Sequence, residues 1–208
     1  MKTLIYHITH CSNIDSILQA GELICCSSIH QHSVNYISIA NQNIQDRRST
    51  FPVPIYPHGV VHDYVPFYFA PRSPMLYAIH KGNVEGYEGG QSNVIYLVTS
   101  VQRISHQGYS YVFTDGHAIM AFSEYYNKLG DLDKIDWAVM QNRFWADTSD
   151  DSDRKRRRQA EFLVYKSLNI IDIEMFTTSN IQVQNYILSK LRSVGHNIPV
   201  DININWYY

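Results

Sequence analysis

Short alternating stretches and short helical-period stretches are interleaved along the chain without a regular order. Ile5–Ile8 reads as a strand. Ser12 or Asn13 stands where a cap would open a helix over Ile14–Ala20, and Gly21 would end it. Residues 33–46 alternate weakly and turn helical toward Arg47 and Arg48. Phe51–Pro57 holds three prolines in seven residues and must be a loop. Tyr64–Ala70 is a dense aromatic run of β type, with Pro66 favouring an edge or a strand start. Ser73–His80 suits a helix with Pro74 in its first turn, Gly82–Gly90 a turn, and Asn93–Thr99 the clearest strand.

Tyr111–Thr114 is a shorter strand, and both Ala118–Leu129 and Lys134–Trp145 carry helical spacing. Asp147–Asp153 is a polar loop with four acids, followed by five bases at Arg154–Arg158. Glu161–Tyr165 fits a strand or a helix continuing from Arg154, and pattern alone leaves both open. Val183–Leu191 is helical, and the final residues alternate again. With no repeating βα unit, this order predicts an α+β fold with a largely antiparallel sheet. Neither GxGxxG nor GxxxxGKS/T occurs, which argues against a Rossmann or P-loop nucleotide site.

Composition narrows the picture. With 208 residues, 45% hydrophobic and 17% charged, the chain suits one domain over 1–208. No apolar run approaches the roughly 20 residues of a membrane helix, and the first residues lack the order of a secretory signal. A monomer kept in the cytoplasm, with no membrane partner, is the expectation. Three cysteines, two of them adjacent and none in a CxxC pair, argue against a disulfide framework and a structural zinc site. A net charge of −2 is unlike a generic nucleic-acid binder, so any such contact must be local and selective. The 16 tyrosines suit base stacking, although most belong in a core.

Several residues carry candidate chemistry. Glu161 opens an apolar run directly after the basic stretch, where a sheet would hold its carboxylate rigidly; a surface glutamate paired with Arg157 or Arg158 fits the spacing as well. His7 and His10 lie in YHITH, where His7 and Thr9 share a strand face. Arg47 and Arg48 are adjacent and point apart, so at most one serves a common site. His30/His32 and His58/His62 mimic metal-ligand spacing, but no acidic pattern such as HExxH supports a metal. The run Arg154–Arg158 is either a phosphate grip or a solvated helix face balanced by the preceding acids.

YHITH at 6–10, the arginine pair at 47–48, HDYVPFYFAPRSPMLYAI at 62–79, FTDGHA at 113–118, RQAEFLVYK at 158–166 and the terminal WYY occur in order across the whole chain. Together they resemble the DarT family of DNA ADP-ribosyltransferase toxins. The resemblance implies an ADP-ribosyltransferase-like fold of two small, roughly perpendicular, mostly antiparallel sheets flanked by helices, with NAD+ as co-substrate in the cleft between them and no metal.

Transfer from NAD+ proceeds through a cation-like state at the ribose, as in glycoside cleavage. The resemblance implies that Glu161 is the catalytic carboxylate that holds the nicotinamide ribose, and that Arg48 is a catalytic arginine near the phosphates and acceptor base. It places His7 on the NAD+ ribose side, Tyr68 and Met75 by the nicotinamide, and His117 near the DNA. Thr9 and Asn13 are weaker candidates for the adenosine half. The implied acceptor is thymine, or else guanine, in a short motif of single-stranded DNA. An unpaired base exposes the ring nitrogen that must lose its proton, and Arg48 can favour the deprotonated base without itself acting as one.

By position, the acceptor loop spans about residues 118–158. Tyr125, Tyr126, Phe144 and Trp145 would stack on bases, and Arg154 would meet the strand. A DarG-like macrodomain antitoxin is the implied protein partner. Two rival readings remain: a transferase of the same wide fold acting on protein or RNA, or removing an RNA 2′-phosphate, and a non-catalytic binder of single-stranded nucleic acid. Acceptor assays separate the first, and indifference to NAD+ and to Glu161→Ala the second. A histidine-based metal hydrolase, which chelators would inhibit, has little support.

Overall fold

The computed structural model describes residues 2–208. Its strands are β1 (Leu4–His10), β2 (Glu22–Ile24), β3 (Tyr64–Tyr68), β4 (Val94–Ser100), β5 (Tyr111–Thr114), β6 (Tyr125–Tyr126), β7 (Glu161–Tyr165), β8 (Ser167–Asn169), β9 (Met175–Thr178) and β10 (Val200–Ile202). Its helices are α1 (Ile14–Ala20), α2 (Cys26–Gln31), α3 (Gln42–Thr50), α4 (Pro74–His80), α5 (Val101–His106), α6 (Trp137–Gln141), α7 (Arg154–Arg158) and α8 (Ile181–Ser193).

The wide sheet runs β10-β9-β4-β1-β3-β7-β5-β6, and β2 with β8 forms a second, two-stranded sheet. All pairings are antiparallel except β9 with β10. β1 pairs with β4 in register from Leu4↔Ser100 to His10↔Val94, but meets β3 in register only at Tyr6↔Tyr68. The wide sheet therefore divides into two four-stranded halves that share one seam. Tyr68 stands at that seam between Tyr6 on one side and Glu161 on the other.

Period-2 geometry explains β4, which is buried at every position. Ile95 and Leu97 face the main core with Phe67, Phe113, Phe162 and Phe176. Val94, Tyr96 and Val98 face a second core with Tyr6, Leu76 and Tyr207. A strand covered on both faces reads as an unbroken apolar run.

Local capping fixes the helices that the pattern predicts. Gly21 ends α1 with φ 71°, a left-handed conformation that glycine adopts without strain. Ser73 Oγ accepts from Leu76 N (3.2 Å) with Pro74 next in line, opening α4. Asn180 Oδ1 accepts from Val183 N (2.9 Å), and α8 then buries Val183, Ile187 and Leu191 along one stripe.

Two expected helices are largely not formed. Within 118–129 the chain makes turns and the strand β6, whose Tyr126 ring stacks on Phe113 with centroids 5.5 Å apart. Within 134–145 only α6 is α-helical. Its C-terminal carbonyls at Val139 and Met140 are taken by the Arg158 guanidinium (2.8 and 2.5 Å), which fixes where the helix stops. The open question at Arg154 is answered by a five-residue helix followed by the strand β7. The weak alternation before Arg47 is no strand; Asn41 caps α3, accepting from Ile44 N at 3.3 Å. α2 and α5 were not signalled by the pattern.

Candidate active site

Glu161 opens β7, opposite Tyr68 of β3, and is 2% exposed. Arg48, on the last turn of α3 and 7% exposed, donates from Nη1 to Glu161 Oε2 at 2.8 Å and to Oε1 at 3.1 Å. Ala118 N adds a third contact to Oε1 at 3.1 Å. Burial works against charge on this carboxyl. The Arg48 guanidinium, His117 and the Ala118 N–H outweigh burial and hold Glu161 below the usual glutamate range. It is therefore a carboxylate at neutral pH, with acceptor capacity left over for a hydroxyl.

The pair forms part of the wall of a cavity of about 390 Å³, within the roughly 300–1,000 Å³ span of small-molecule and cofactor sites. His7 and Thr9 of β1, Asn13, Tyr68, Met75 of α4 and His117 line the same cavity. His7 Nδ1–H donates to the Pro66 carbonyl at 2.8 Å, which fixes its tautomer and leaves Nε2 as an acceptor. Burial lowers the His7 pKa to about 4, so the ring is neutral. Tyr68 Oη approaches Met75 Sδ at 3.7 Å. Burial and the nearby Glu161 charge push the Tyr68 phenol up, so it stays protonated. Burial also lowers His117, and its Nδ1 is buried without a hydrogen-bond partner.

Asn13 is occupied by its own chain. Its Nδ2 donates to Thr9 Oγ1 and to the Ile37 carbonyl, each at 2.9 Å, while Oδ1 accepts from Ile37 N at 2.8 Å. It thereby clips residues 34–40, which form one wall of the cavity, to the end of β1. Arg47 points away from Arg48 and donates to the Ile119 carbonyl at 3.1 Å.

The other expected residues lie outside this cavity. Tyr125 donates to the Ala118 carbonyl at 2.8 Å and packs with the Tyr64–Leu163 cluster. Tyr126 is the stacked partner of Phe113. Trp145 donates from Nε1 to Tyr208 Oη at 2.8 Å and packs edge-on against Tyr77, with centroids 5.7 Å apart. Arg154 donates to the Phe144 carbonyl at 2.5 Å, and the Phe144 ring is 78% exposed. Further wall residues are Cys26, Tyr36, Gln45 and Gln159, which were not proposed for a site from the sequence, and Lys155, which was considered only as part of the Arg154–Arg158 run. His62, considered there only as half of a metal-like pair, also lines the cavity and donates from Nε2 to Gln45 Oε1 at 2.9 Å. The Arg154–Arg158 run, open to reading as a phosphate grip, is the one signal that marked any of these. Among the described residues, no group of three or more His, Cys, Asp or Glu side chains is placed to hold a metal ion.

Comparison with known proteins bears on this arrangement. A family model described as "ssDNA thymidine ADP-ribosyltransferase, DarT" matches residues 6–208. A DNA ADP-ribosyl transferase of Thermus sp. (strain 2.9) is 41% identical over 208 residues, covering 99% of this chain and 96% of that protein. The structure of Thermus sp. 2.9 DarT in complex with ADP-ribosylated ssDNA aligns with a TM-score of 0.92 at 40% identity, over 99% of this chain and 96% of that one. The same Thermus protein in complex with NAD+ gives 0.89 at 38% identity, over 99% and 98%. A DNA ADP-ribosyl transferase–DNA ADP-ribosyl glycohydrolase fusion protein of Thermosipho africanus is 23% identical over 94% of this chain, which spans 47% of the fusion.

Proposed function

Because the chain belongs to the DarT family of ssDNA thymidine ADP-ribosyltransferases, we propose that its cavity holds NAD+ against Arg48 and Glu161 and passes the ADP-ribose to a thymine base of single-stranded DNA. The observation that carries this reading is the buried Arg48–Glu161 pair in the cavity wall. A buried carboxylate with spare acceptor capacity is what a developing positive charge on ribose requires, and it is pre-oriented by groups that need no rearrangement during the reaction. His7, with Nε2 as an acceptor, the Tyr68 ring and His117 also line the cavity, a set of polar and aromatic groups that fits a ribose, an aromatic amide and an incoming base.

NAD+ supplies the activated ribose: its bond to nicotinamide breaks, the base nitrogen forms a bond to the same carbon, and the base gives up one proton. Thymine in DNA has one ring N–H, at N3, so N3 is the acceptor atom. Glu161 accepts the ribose hydroxyl and steadies positive charge at the sugar. Arg48 orients Glu161 and favours negative charge on the base as its proton leaves. His117, uncharged near neutral pH, lines the acceptor side. His7, Thr9, Tyr68 and Met75 position the co-substrate, and Asn13 acts on it through the Ile37 wall. Tyr125 steadies the Ala118 turn beneath Glu161, and Trp145 and Arg154 stiffen the acceptor loop.

We also read the protein as a cytoplasmic toxin paired with a macrodomain antitoxin that removes the modification. The Thermosipho fusion, whose name joins the transferase to a glycohydrolase, supports that pairing. No helix among the described residues is long and apolar enough to cross a membrane.

The test is to incubate the protein with NAD+ and a pool of single-stranded oligonucleotides and weigh the products. A gain of one ADP-ribose on thymine-containing strands, lost in Glu161→Ala, supports the reading. Labelled RNA or protein with unmodified DNA would replace the acceptor.

A further inference from the structure

Five bases in succession form α7, and four of them are spoken for within the chain. Arg154 donates to the Phe144 carbonyl, and Arg156 binds Asp153 (2.7 Å) and Asp115 (3.1 Å). Arg157 is paired with Asp136 and Asp151, and Arg158 is buried among the carbonyls of Pro71, Val139 and Met140. Lys155 differs: its main-chain N–H donates to Asp147 Oδ1 at 2.8 Å, while its ammonium has no hydrogen bond or ion pair among the described residues. That side chain is exposed and lines the cavity that contains Glu161, His117 and Arg48.

We infer that Lys155 is a substrate-binding residue that holds a backbone phosphate of the single strand beside the acceptor base, an inference that rests on the DNA-modifying reading above. The cavity admits a base and the co-substrate, but a polymer's backbone must stay outside, so a cation at an exposed edge of the lining meets the phosphodiester. The neighbouring aspartates neutralise the arginines of the same helix and leave one cation turned outward. Such a contact pulls the strand toward the site without demanding a basic protein, consistent with the net charge of −2. A phosphate contact positions the strand and carries no sequence preference of its own.

The test measures the affinity of a fluorescent thymine-containing oligonucleotide against sodium chloride concentration by anisotropy, and turnover with NAD+, for the wild type, Lys155→Gln and Lys155→Arg. Each phosphate neutralised on a single strand contributes a slope of about 0.7 in log affinity against log salt. Lys155→Gln should weaken DNA binding by about three- to tenfold at low salt and flatten that slope by about 0.7. It should leave kcat and the KM for NAD+ unchanged, and Lys155→Arg should restore both affinity and slope. An unchanged slope in Lys155→Gln overturns the inference, and so does a rise confined to the KM for NAD+, which would move the contact to the diphosphate. If the wild type neither binds nor modifies the oligonucleotide, the DNA reading itself fails and this inference falls with it; a wild type that modifies DNA alongside an indistinguishable Lys155→Gln sinks the inference alone.

Discussion

Arg48 Nη1 bridges both carboxylate oxygens of Glu161, at 2.8 and 3.1 Å, across 113 residues of chain. The pair joins the end of a helix to the mouth of a strand, and neither partner has access to bulk water sufficient to replace the other. Glu161→Gln keeps an acceptor for Ala118 N but removes the negative charge. Its kcat for DNA modification should fall by about 100-fold or more, with a smaller effect on the KM for NAD+. Steady-state kinetics with both substrates decides this; a kcat within a few-fold of wild type would remove Glu161 from the chemistry.

Arg48→Ala should behave differently, because it leaves a carboxylate buried without its counter-charge. Breaking such a pair costs about 3–5 kcal/mol, so the melting temperature should drop along with activity. Thermal denaturation monitored by circular dichroism measures the first loss, and an unaltered melting temperature would show that water reaches Glu161.

Asn13 is predicted to act through the wall it clips rather than by touching substrate. Asn13→Asp retains the acceptor for Ile37 N but loses both donated bonds, and Asn13→Ala loses all three. The KM for NAD+ should therefore rise in the order wild type, Asp, Ala, with kcat changing least. Proteolysis within residues 33–41 should quicken in the same order. Equal effects on kcat and KM would instead make Asn13 part of the reacting centre.

Acid should loosen the fold around the cavity. Burial lowers His7 and His62 from 6.5 to about 4 each, aided at His62 by the Arg48 charge. Between pH 6.5 and about 4 the unfolded chain thus binds protons that the folded chain does not, and stability falls as pH drops through that window. Glu161, held below its normal value, adds a further loss below pH 4.5. A melting temperature lower by at least about 5 °C at pH 5 than at pH 8 is expected, and His62→Gln should reduce the difference. A melting temperature flat over this range would mean that these rings are already charged.

Arg158 is 4% exposed and hydrogen-bonds only to carbonyls, and burial lowers its pKa. Arg158→Met fills the space but leaves the Met140 and Pro71 carbonyls without a donor, while Val139 keeps Asn142 N and Arg72 keeps Tyr208 Oη. Each buried acceptor left bare costs about 1–3 kcal/mol, so the variant should unfold at lower urea concentration than Arg157→Met, whose charges face water. The reverse order would make the carbonyl cluster a wetted one.

What the sequence revealed follows the range of the forces involved. Gly21 and Ser73–Pro74 act on their own turns and Val183–Leu191 carries helical spacing, so α1, α4 and α8 could be placed from local signals. β4 showed itself because both of its faces are covered. Residues 118–145 misled because their helical spacing is overruled from afar, by Phe113 stacking on Tyr126 and by Arg158 claiming the end of α6. At the site, Glu161 and Arg48 were nameable through the resemblance, while their contact was not, since nothing local links positions 113 apart. The basic run showed the same limit: which arginine is neutralised and which lysine is free depends on Asp115 and Asp136, distant in sequence.

The aromatics at 206–208 extend this lesson to the second core. Trp206 packs edge-on against Tyr6 and Tyr96, Tyr207 Oη donates to the Val94 carbonyl at 3.0 Å, and Tyr208 Oη donates to the Arg72 carbonyl at 2.5 Å. One face of β1 and β4 is therefore covered by side chains distant in sequence. Residues 206–208 thus act as a latch: without them the Tyr6–Tyr96 face would be bared and the loop before α4, which leads to Met75 of the cavity wall, would have one tether fewer.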